Sequence, residues 1–314
     1  MAYNVGGLIQ ATDFISLRGS IGPNSAYANA LDASNKLAAL IGVGFGNRGY
    51  GQTSTAFPSV SAGNAIAASE WNSLIGVVAT LNTHTGSALT VPSSVSAGST
   101  IQAFDGTLGR PNLPTLVSTL DTNRLLFSLA DMTLTAYTPS IRTTPWLSQV
   151  YHEFTVTWAT EDAARYFFNS GGQIYVSASR VGGSVSNLNS AITAMLSEMG
   201  TIRFGAESTT YTGTGGTAYS VGYYDLIGVY QDCFYHAGPT FYSAPNYTLT
   251  ARAENIAGAN GGNGTVVRFR SIFETGLPAS YDTADGTLTS SVSQLKATGV
   301  LTVASPTFAT VTPL

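Results

Sequence analysis

A metal centre or an acid–base pair in this sequence would have to be drawn from three histidines, 17 carboxylates and one cysteine. Zinc-type sites need such ligands clustered at short spacing. His84, His152 and His236 fall in three separate elements, with only Cys233 near His236, and no His-Glu-x-x-His or paired-cysteine spacing occurs. His152 falls on the apolar face of an alternating segment and reads as a hydrogen-bonded core residue. Cys233, in "YQDCFYHAG", lies among aromatics and reads as a small core residue rather than a nucleophile. A lone cysteine also excludes an intrachain disulfide. A glycosidase would need two carboxylates about 5–10 Å apart across a cleft. In the body of the chain the candidates are Glu153, Glu161, Asp162, Asp225 and Asp232. Glu161 and Asp162 follow Thr160, where negative charge suits the positive end of a helix. Asp225 and Asp232 have no recognisable partner.

Two other motifs are weaker than they look. "GFGNRG" (Gly44–Gly49) matches the dinucleotide pattern Gly-x-Gly-x-x-Gly. That fingerprint needs a strand before it and a helix after it, whereas here a helical segment precedes and a polar loop follows. No Gly-x-Ser-x-Gly elbow occurs. Tyr223, Tyr224, Tyr230, Tyr235 and Tyr242 lie close together. Exposed, they would form a sugar-stacking platform; buried or at interfaces, they supply contact area with a polar tip. The expectation is a protein that is not an enzyme, with no cofactor, no metal and no catalytic residues.

The elements that must position these residues belong to a chain with little charge. Charged residues make up 10% of the sequence, against about 25% in ordinary globular domains. Ser, Thr, Asn and Gly therefore carry solubility, a habit of proteins built into large assemblies and of extracellular β proteins. The net charge is −4 and the only lysines are Lys36 and Lys296, so a positive face for nucleic acid is not expected. The other 11 basic residues are Arg, which suits fixed, planar, partly buried contacts. No run of about 20 apolar residues suggests a membrane span. The N-terminus shows no basic region followed by an apolar one, so the chain reads as folded in a cytoplasm.

The first segment repeats itself. "GGLIQATDFISL" (Gly6–Leu17) aligns without gaps with "GNAIAASEWNSL" (Gly63–Leu74). Each copy reads as a helix start: Ile9 or Ile66 leads in, Thr12 or Ser69 caps, and Asp13 or Glu70 faces the helix dipole. Phe14 with Leu17, and Trp71 with Leu74, then open an apolar face. Between the copies a helix is expected from about Ala26 to Ile41, stopped by Gly42, Gly44 and Gly46. The second copy is expected to be helical from Glu70 to about Thr83. Residues 1–90 thus read as a helical hairpin module for docking. Residues 91–145, rich in Ser, Thr and Pro, read as a β-rich connector; within it "RLLFSLADMTLTAY" is either a strand pair or a helical turn and a strand.

The body is assigned to residues 146–275. "QVYHEFTVTW" alternates, with Val150, His152, Phe154, Val156 and Trp158 on one face. "QIYVSAS", "TIRFGA", "YYDLIGVYQDCFY", "NYTLTARAE" and "TVVRFRSIF" read as further strands, "SNLNSAITAMLSEMG" as a one-faced helix, and "AGANGGNG" as a flexible loop tip. "TEDAARYFFNSGGQI" reads as a corner between strands. Thr160 caps a short helix, Phe167 or Phe168 plugs the core, and Arg165 or Tyr166 faces a neighbour. Asn169, Gly171 and Gly172 provide the left-handed exit. Residues 276–314 read as an extended C-terminal arm suited to joining another sheet. The expected class is α+β: a helical hairpin region, a mostly antiparallel β-sandwich body with one or two packed helices, and that arm.

The doubled helix start, with "NRGYGQ" and "LNTHTG", and the string "FTVTWATEDAARYFFNSGGQI" together resemble virion structural proteins of tailed bacteriophages, of the myovirus and cyanophage kind. The resemblance covers roughly residues 1–90 and 150–205. It implies an assembly component of the tail, neck or fibre attachment, with no catalytic residues to carry over. Its implied partners are other virion proteins and copies of itself, and its place is the virion, assembled in the host cytoplasm. Head decoration, a receptor-binding module that reads a host surface glycan, and a glycan-degrading enzyme are the alternatives.

Overall fold

The computed structural model describes residues 36–52, 60, 65–99, 113–239, 244–256, 259–277 and 282–311. The chain is mixed α and β, with two six-stranded sheets in which every registered pair is antiparallel, and few helices. Its contacts divide it into two units. One holds Met1–Met132, Asn169–Gly171 and Ala297–Val303; the other holds Thr133–Phe168, Gly172–Lys296 and Ala304–Leu314.

Among its described residues, the first unit contains helices α1 (Lys36–Ile41), α2 (Ala68–Thr85) and α3 (Leu113–Thr122) and a single 3-10 turn, Leu129–Asp131. α2 turns Trp71, Leu74, Ile75, Val78 and Leu81 to the core, the spacing of an amphipathic helix. It begins two residues earlier than the repeat suggests. Ala67 is the N-cap, and its N–H is bonded by the Glu70 carboxylate at 2.7 Å. Ser69 therefore sits inside the first turn rather than capping it, and Ile66 precedes the helix. The other copy of the repeat, with Ile9, Thr12, Asp13, Phe14 and Leu17, lies outside the described residues, as does the stretch Ala26–Asn35.

The segment read as a β-rich connector holds helix α3. Its buried residues Leu113, Leu116, Val117 and Leu120 follow helical spacing. Pro114 stands in the first turn, where a missing N–H breaks no helical bond. Ser and Thr on the other face hid that period.

In chain order the strands are β1 (Met132–Ala136), β2 (Ser140–Arg142), β3 (Gln149–Thr157), β4 (Gln173–Val181), β5 (Ile202–Phe204), β6 (Thr209–Tyr211), β7 (Thr217–Ala218), β8 (Gln231–Ala237), β9 (Asn246–Glu254), β10 (Val266–Glu274), β11 (Thr287–Ala297) and β12 (Thr307–Val311). Helix α4 (Glu161–Asn169) follows β3, and α5 (Asn187–Met199) follows β4. One sheet runs β1-β11-β4-β5-β6 with β2 also on β11; the other runs β12-β3-β10-β9-β8-β7.

Strict alternation sets which side chains reach the core. β10 buries Val267, Phe269, Ser271 and Phe273 and turns Arg268 and Arg270 outward. Phe269 pairs with Phe154 of β3, their rings stacked at 5.0 Å. Phe204 of the first sheet meets Phe269 of the second edge-on at 5.0 Å, and His152 of β3 bonds Ser290 of β11 at 2.8 Å. α5 adds Leu188, Ile192, Met195, Leu196 and Met199 to this core.

Three expectations for this unit change. "YYDLIGVY" is not strand: Tyr223–Asp225 is a 3-10 turn, and β8 begins at Gln231. Side chains hold that turn, with Asp225 accepting the Gly222 N–H at 2.9 Å and Asn263 donating to the Tyr223 and Leu226 carbonyls. The loop before β10 is fastened, because Asn260 donates to Asp162 at 3.2 Å and the Asn263 N–H donates to the Tyr223 hydroxyl at 2.9 Å. The C-terminal segment is not a free arm. β11 lies inside the first sheet, between β4 and the strands β1 and β2, and β12 pairs with β3 of the same chain. Ser290 and Gln294 occupy buried positions of β11 where apolar residues would have announced it.

Candidate functional site

The strand–helix corner is built locally. Thr160 accepts the Ala163 N–H on its hydroxyl at 3.0 Å and so caps α4. At the far end the Gly172 N–H donates to the Phe167 carbonyl at 2.9 Å, and Gly171 takes φ +77°. That is the Schellman closure of a helix. Phe167 and Phe168 are fully buried. Phe168 stacks on Tyr223 at 4.6 Å and meets Trp158 at 5.2 Å. Arg165 is fully buried as well and bonds Asp162 one turn back, so it does not face outward as read; Tyr166 is half-buried. This corner is a packing device, with Glu161 and Asp162 in its first turn.

Within the first unit, Asn169 donates its amide to the carbonyls of Gly46 and Gly49 at 3.0 and 3.1 Å. The glycine loop "GFGNRG" follows α1, and its carbonyls are met by a side-chain amide. A phosphate cradle requires inward N–H groups instead. Nearby, His84 bonds Asp131 through Nδ1, and Asp131 also accepts the N–H groups of Thr298, Gly299 and Val300. Burial lowers the His84 pKa against the opposing pull of Asp131. The pair fixes buried backbone.

The second unit carries its densest set of charges on the outer face of the β3-β10-β9 sheet. Glu153 receives Arg268 at 2.9 Å, Arg270 at 2.6 Å and the Tyr230 hydroxyl at 2.8 Å. Arg268 also bonds Glu254 at 2.9 Å, and Arg252 bonds Glu254 at 2.6 Å. The Tyr230 ring lies between Arg270 at 4.3 Å and Arg252 at 4.8 Å, and Arg270 also covers Tyr151 at 4.6 Å. Burial would raise the Glu153 pKa, but Arg268, Arg270 and Tyr230 outweigh it and hold the carboxyl below its ordinary range. Burial and Glu153 push the Tyr230 phenol up to about 12. Neither group is poised for proton transfer near neutral pH. The array is a cross-strand lattice of cation–π contacts and ion pairs.

The connection from β4 to α5 frames an open cleft of about 600 Å³ lined by Arg180, Gly183, Ser184, Asn189 and Thr193. Asp285 closes it internally. It accepts the Ser184 N–H at 3.0 Å, the Asn189 amide and Arg180 at 3.3 Å, while Arg180 also donates to Thr193 at 3.1 Å.

The residues singled out for chemistry do not converge. His152 bonds Ser290, His84 bonds Asp131, and His236 bonds Glu198 at 3.2 Å. Burial pushes the Cys233 thiol up to about 12. Among the described residues no group of three His, Cys, Asp or Glu is placed to hold a metal ion, and no helix is long and apolar enough to cross a membrane. Of the tyrosine group, Tyr223 is buried, Tyr230 is covered by arginines and Tyr235 is exposed; Tyr242 lies outside the described residues. Sequence reasoning missed the Arg–Tyr–Glu lattice, although "VRFRS" announced two arginines on one strand face. It also missed Arg180–Asp285, whose partners are far apart in sequence. No family model, no curated protein and no solved structure matches this chain.

Proposed function

We propose that this protein is a structural component of a tailed-phage particle, belonging to the tail, neck or fibre attachment. On this reading it assembles as a symmetric oligomer, docks on other virion proteins, and resides in the virion after assembly in the host cytoplasm. Its body is a β-sandwich, the two sheets facing each other through Phe204–Phe269 and His152–Ser290.

The observation that carries the reading is how the scarce charged groups are used. Glu153, Glu254, Asp131, Asp162 and Asp285 are each bound to Arg, His or backbone groups of the same chain. On the outward face of the first sheet Thr289, Ser291, Ser179 and Ile141 are uncharged, and the one guanidinium of β5, Arg203, is held over the Tyr175 ring at 5.3 Å. Such a surface is suited to lasting contact with protein. The family resemblance in the helix-start repeat and in the α4 corner supports the same reading. The glycan-binding alternative draws less from Tyr223 and Tyr230, whose rings are buried or covered. Immunogold labelling of purified particles with antibodies to this chain tests the proposal: label at a fixed place on the tail or neck supports it, and unlabelled particles refute it.

A further inference from the structure

The two sheets end differently on their two flanks. On one flank the last strands are β6 and β7, of three and two residues. The chain before and after β7 closes that side: the Thr209 hydroxyl donates to the Val221 carbonyl at 2.7 Å and the Tyr211 hydroxyl to the Gly216 carbonyl at 2.8 Å. On the other flank the last strands are β1 and β12, five residues each. Tyr137, just after β1, stacks on Phe308 of β12 at 4.5 Å with the rings 9° apart, and its hydroxyl donates to the Pro306 carbonyl at 3.4 Å. The two edges therefore lie side by side.

Sheet edges are ordinarily guarded by charge, proline or extreme shortness. Neither "MTLTA" nor "TFATV" contains a charge or a proline. Among the described residues no strand pairs with the outer edge of β1 or of β12. β1 is exposed on both faces from Thr133 to Ala136, so the burial alternation of the inner strands is missing. Leu134 is 55% exposed and Ile141, on the adjoining β2, is 56% exposed.

We propose that this flank is the self-association surface, with β1 pairing antiparallel to β1 of a second copy about a twofold axis at Leu134. The inference rests on the assembly reading above and locates its homotypic contact. Self-complementarity commits it to a second copy. Antiparallel pairing about Leu134 sets Leu134 against its counterpart, Thr135 against Thr133, and Met132 against Ala136. These are apolar and hydroxyl pairs of the kind that stabilise neighbouring strands. The same patch serves both partners, as a closed twofold contact requires. A charged partner strand would find no counter-charge on either edge.

Sedimentation velocity of the full chain tests this with Leu134→Lys and Leu134→Glu. The wild type is expected to be a dimer or a multiple of it. Each variant alone places like charges opposite one another and is expected to weaken association about tenfold or more. An equimolar mixture of the two restores it. If either variant fails to fold by circular dichroism, Thr135→Lys replaces it and is expected to dissociate the wild-type species in the same way. An oligomer whose mass every variant leaves unchanged, or a mixture that fails to restore it, overturns the placement on β1 and leaves the assembly reading standing. A wild-type chain that is monomeric up to its solubility limit overturns the placement and the homo-oligomer with it.

Discussion

Acidification should unlock the interior of the second unit through His152. The ring is fully buried, edge-on to Phe273 at 5.6 Å, with Nδ1 on Ser290 at 2.8 Å and no partner on Nε2. Burial, reinforced by the Arg142 charge, pushes its pKa from 6.5 down to about 4. As pH falls below 6.5 the unfolded chain takes up a proton that the folded chain refuses. The stability associated with a neutral His152 is therefore complete above pH 6.5 and is lost progressively down to about pH 4. At about 1.4 kcal/mol per pH unit, the loss across that interval is about 3 kcal/mol. The perturbation is His152→Asn, whose side-chain amide stands at the position of Nδ1, the atom that meets Ser290, and does not titrate. Urea unfolding of both proteins between pH 7.5 and 4 provides the assay, read as the difference between the two stabilities at each pH. Contributions from His84, which titrates in the same direction, and from the depressed carboxyls of Glu153 and Asp285 are common to both proteins and cancel. The wild type should lose about 3 kcal/mol more than the variant. Parallel curves would refute the reasoning, because they would mean that His152 is protonated equally easily in both states.

Phe168→Ala, which empties a site enclosed by Trp158, Phe167, Phe204 and Tyr223, should cost about 3–5 kcal/mol in chemical denaturation. Two glycines in the left-handed region should separate sharply. Gly86→Ala, whose new Cβ would come no nearer than 3.6 Å to Ser128, should cost about 1 kcal/mol from backbone strain alone. Gly171→Ala, whose Cβ would lie 2.2 Å from the Phe127 ring, should cost several times as much in thermal unfolding, and Gly171→Val should leave little folded protein. Glu153→Gln removes the shared acceptor of Arg268 and Arg270 and should cost about 1–3 kcal/mol, a loss that high salt reduces because the arginines are partly exposed.

Much of the body was legible because its strands obey a strict period. β3, β4, β9 and β10 alternate plainly, and α5 shows one apolar stripe ending at Gly200. Trouble arose where polar residues sit at buried positions. Ser290 and Gln294 disguised β11 as tail, and the Ser and Thr of α3 disguised a helix as connector. The 223–230 stretch has strand-like composition, but Asp225, Gln231 and Asn263 bind its backbone into a turn, a tertiary effect no local pattern contains. The α4 corner was readable to its caps, since Thr160 and Gly171 act within one helix. The burial of Arg165 was not, because it depends on Asp162 and on the loop carrying Asn260 and Gly262. The Arg–Tyr–Glu lattice draws on four strands or their flanks, so its residues are neighbours only after the sheet forms.

A chain built into a phage particle, as proposed, must purify with that particle. Quantitative mass spectrometry of purified, nuclease-treated phage particles whose genome encodes it measures that directly. The expected result is the intact chain at a fixed ratio of several copies per particle, retained through density-gradient purification. Its absence from particles, or its recovery solely in the soluble fraction of infected cells, would contradict the account.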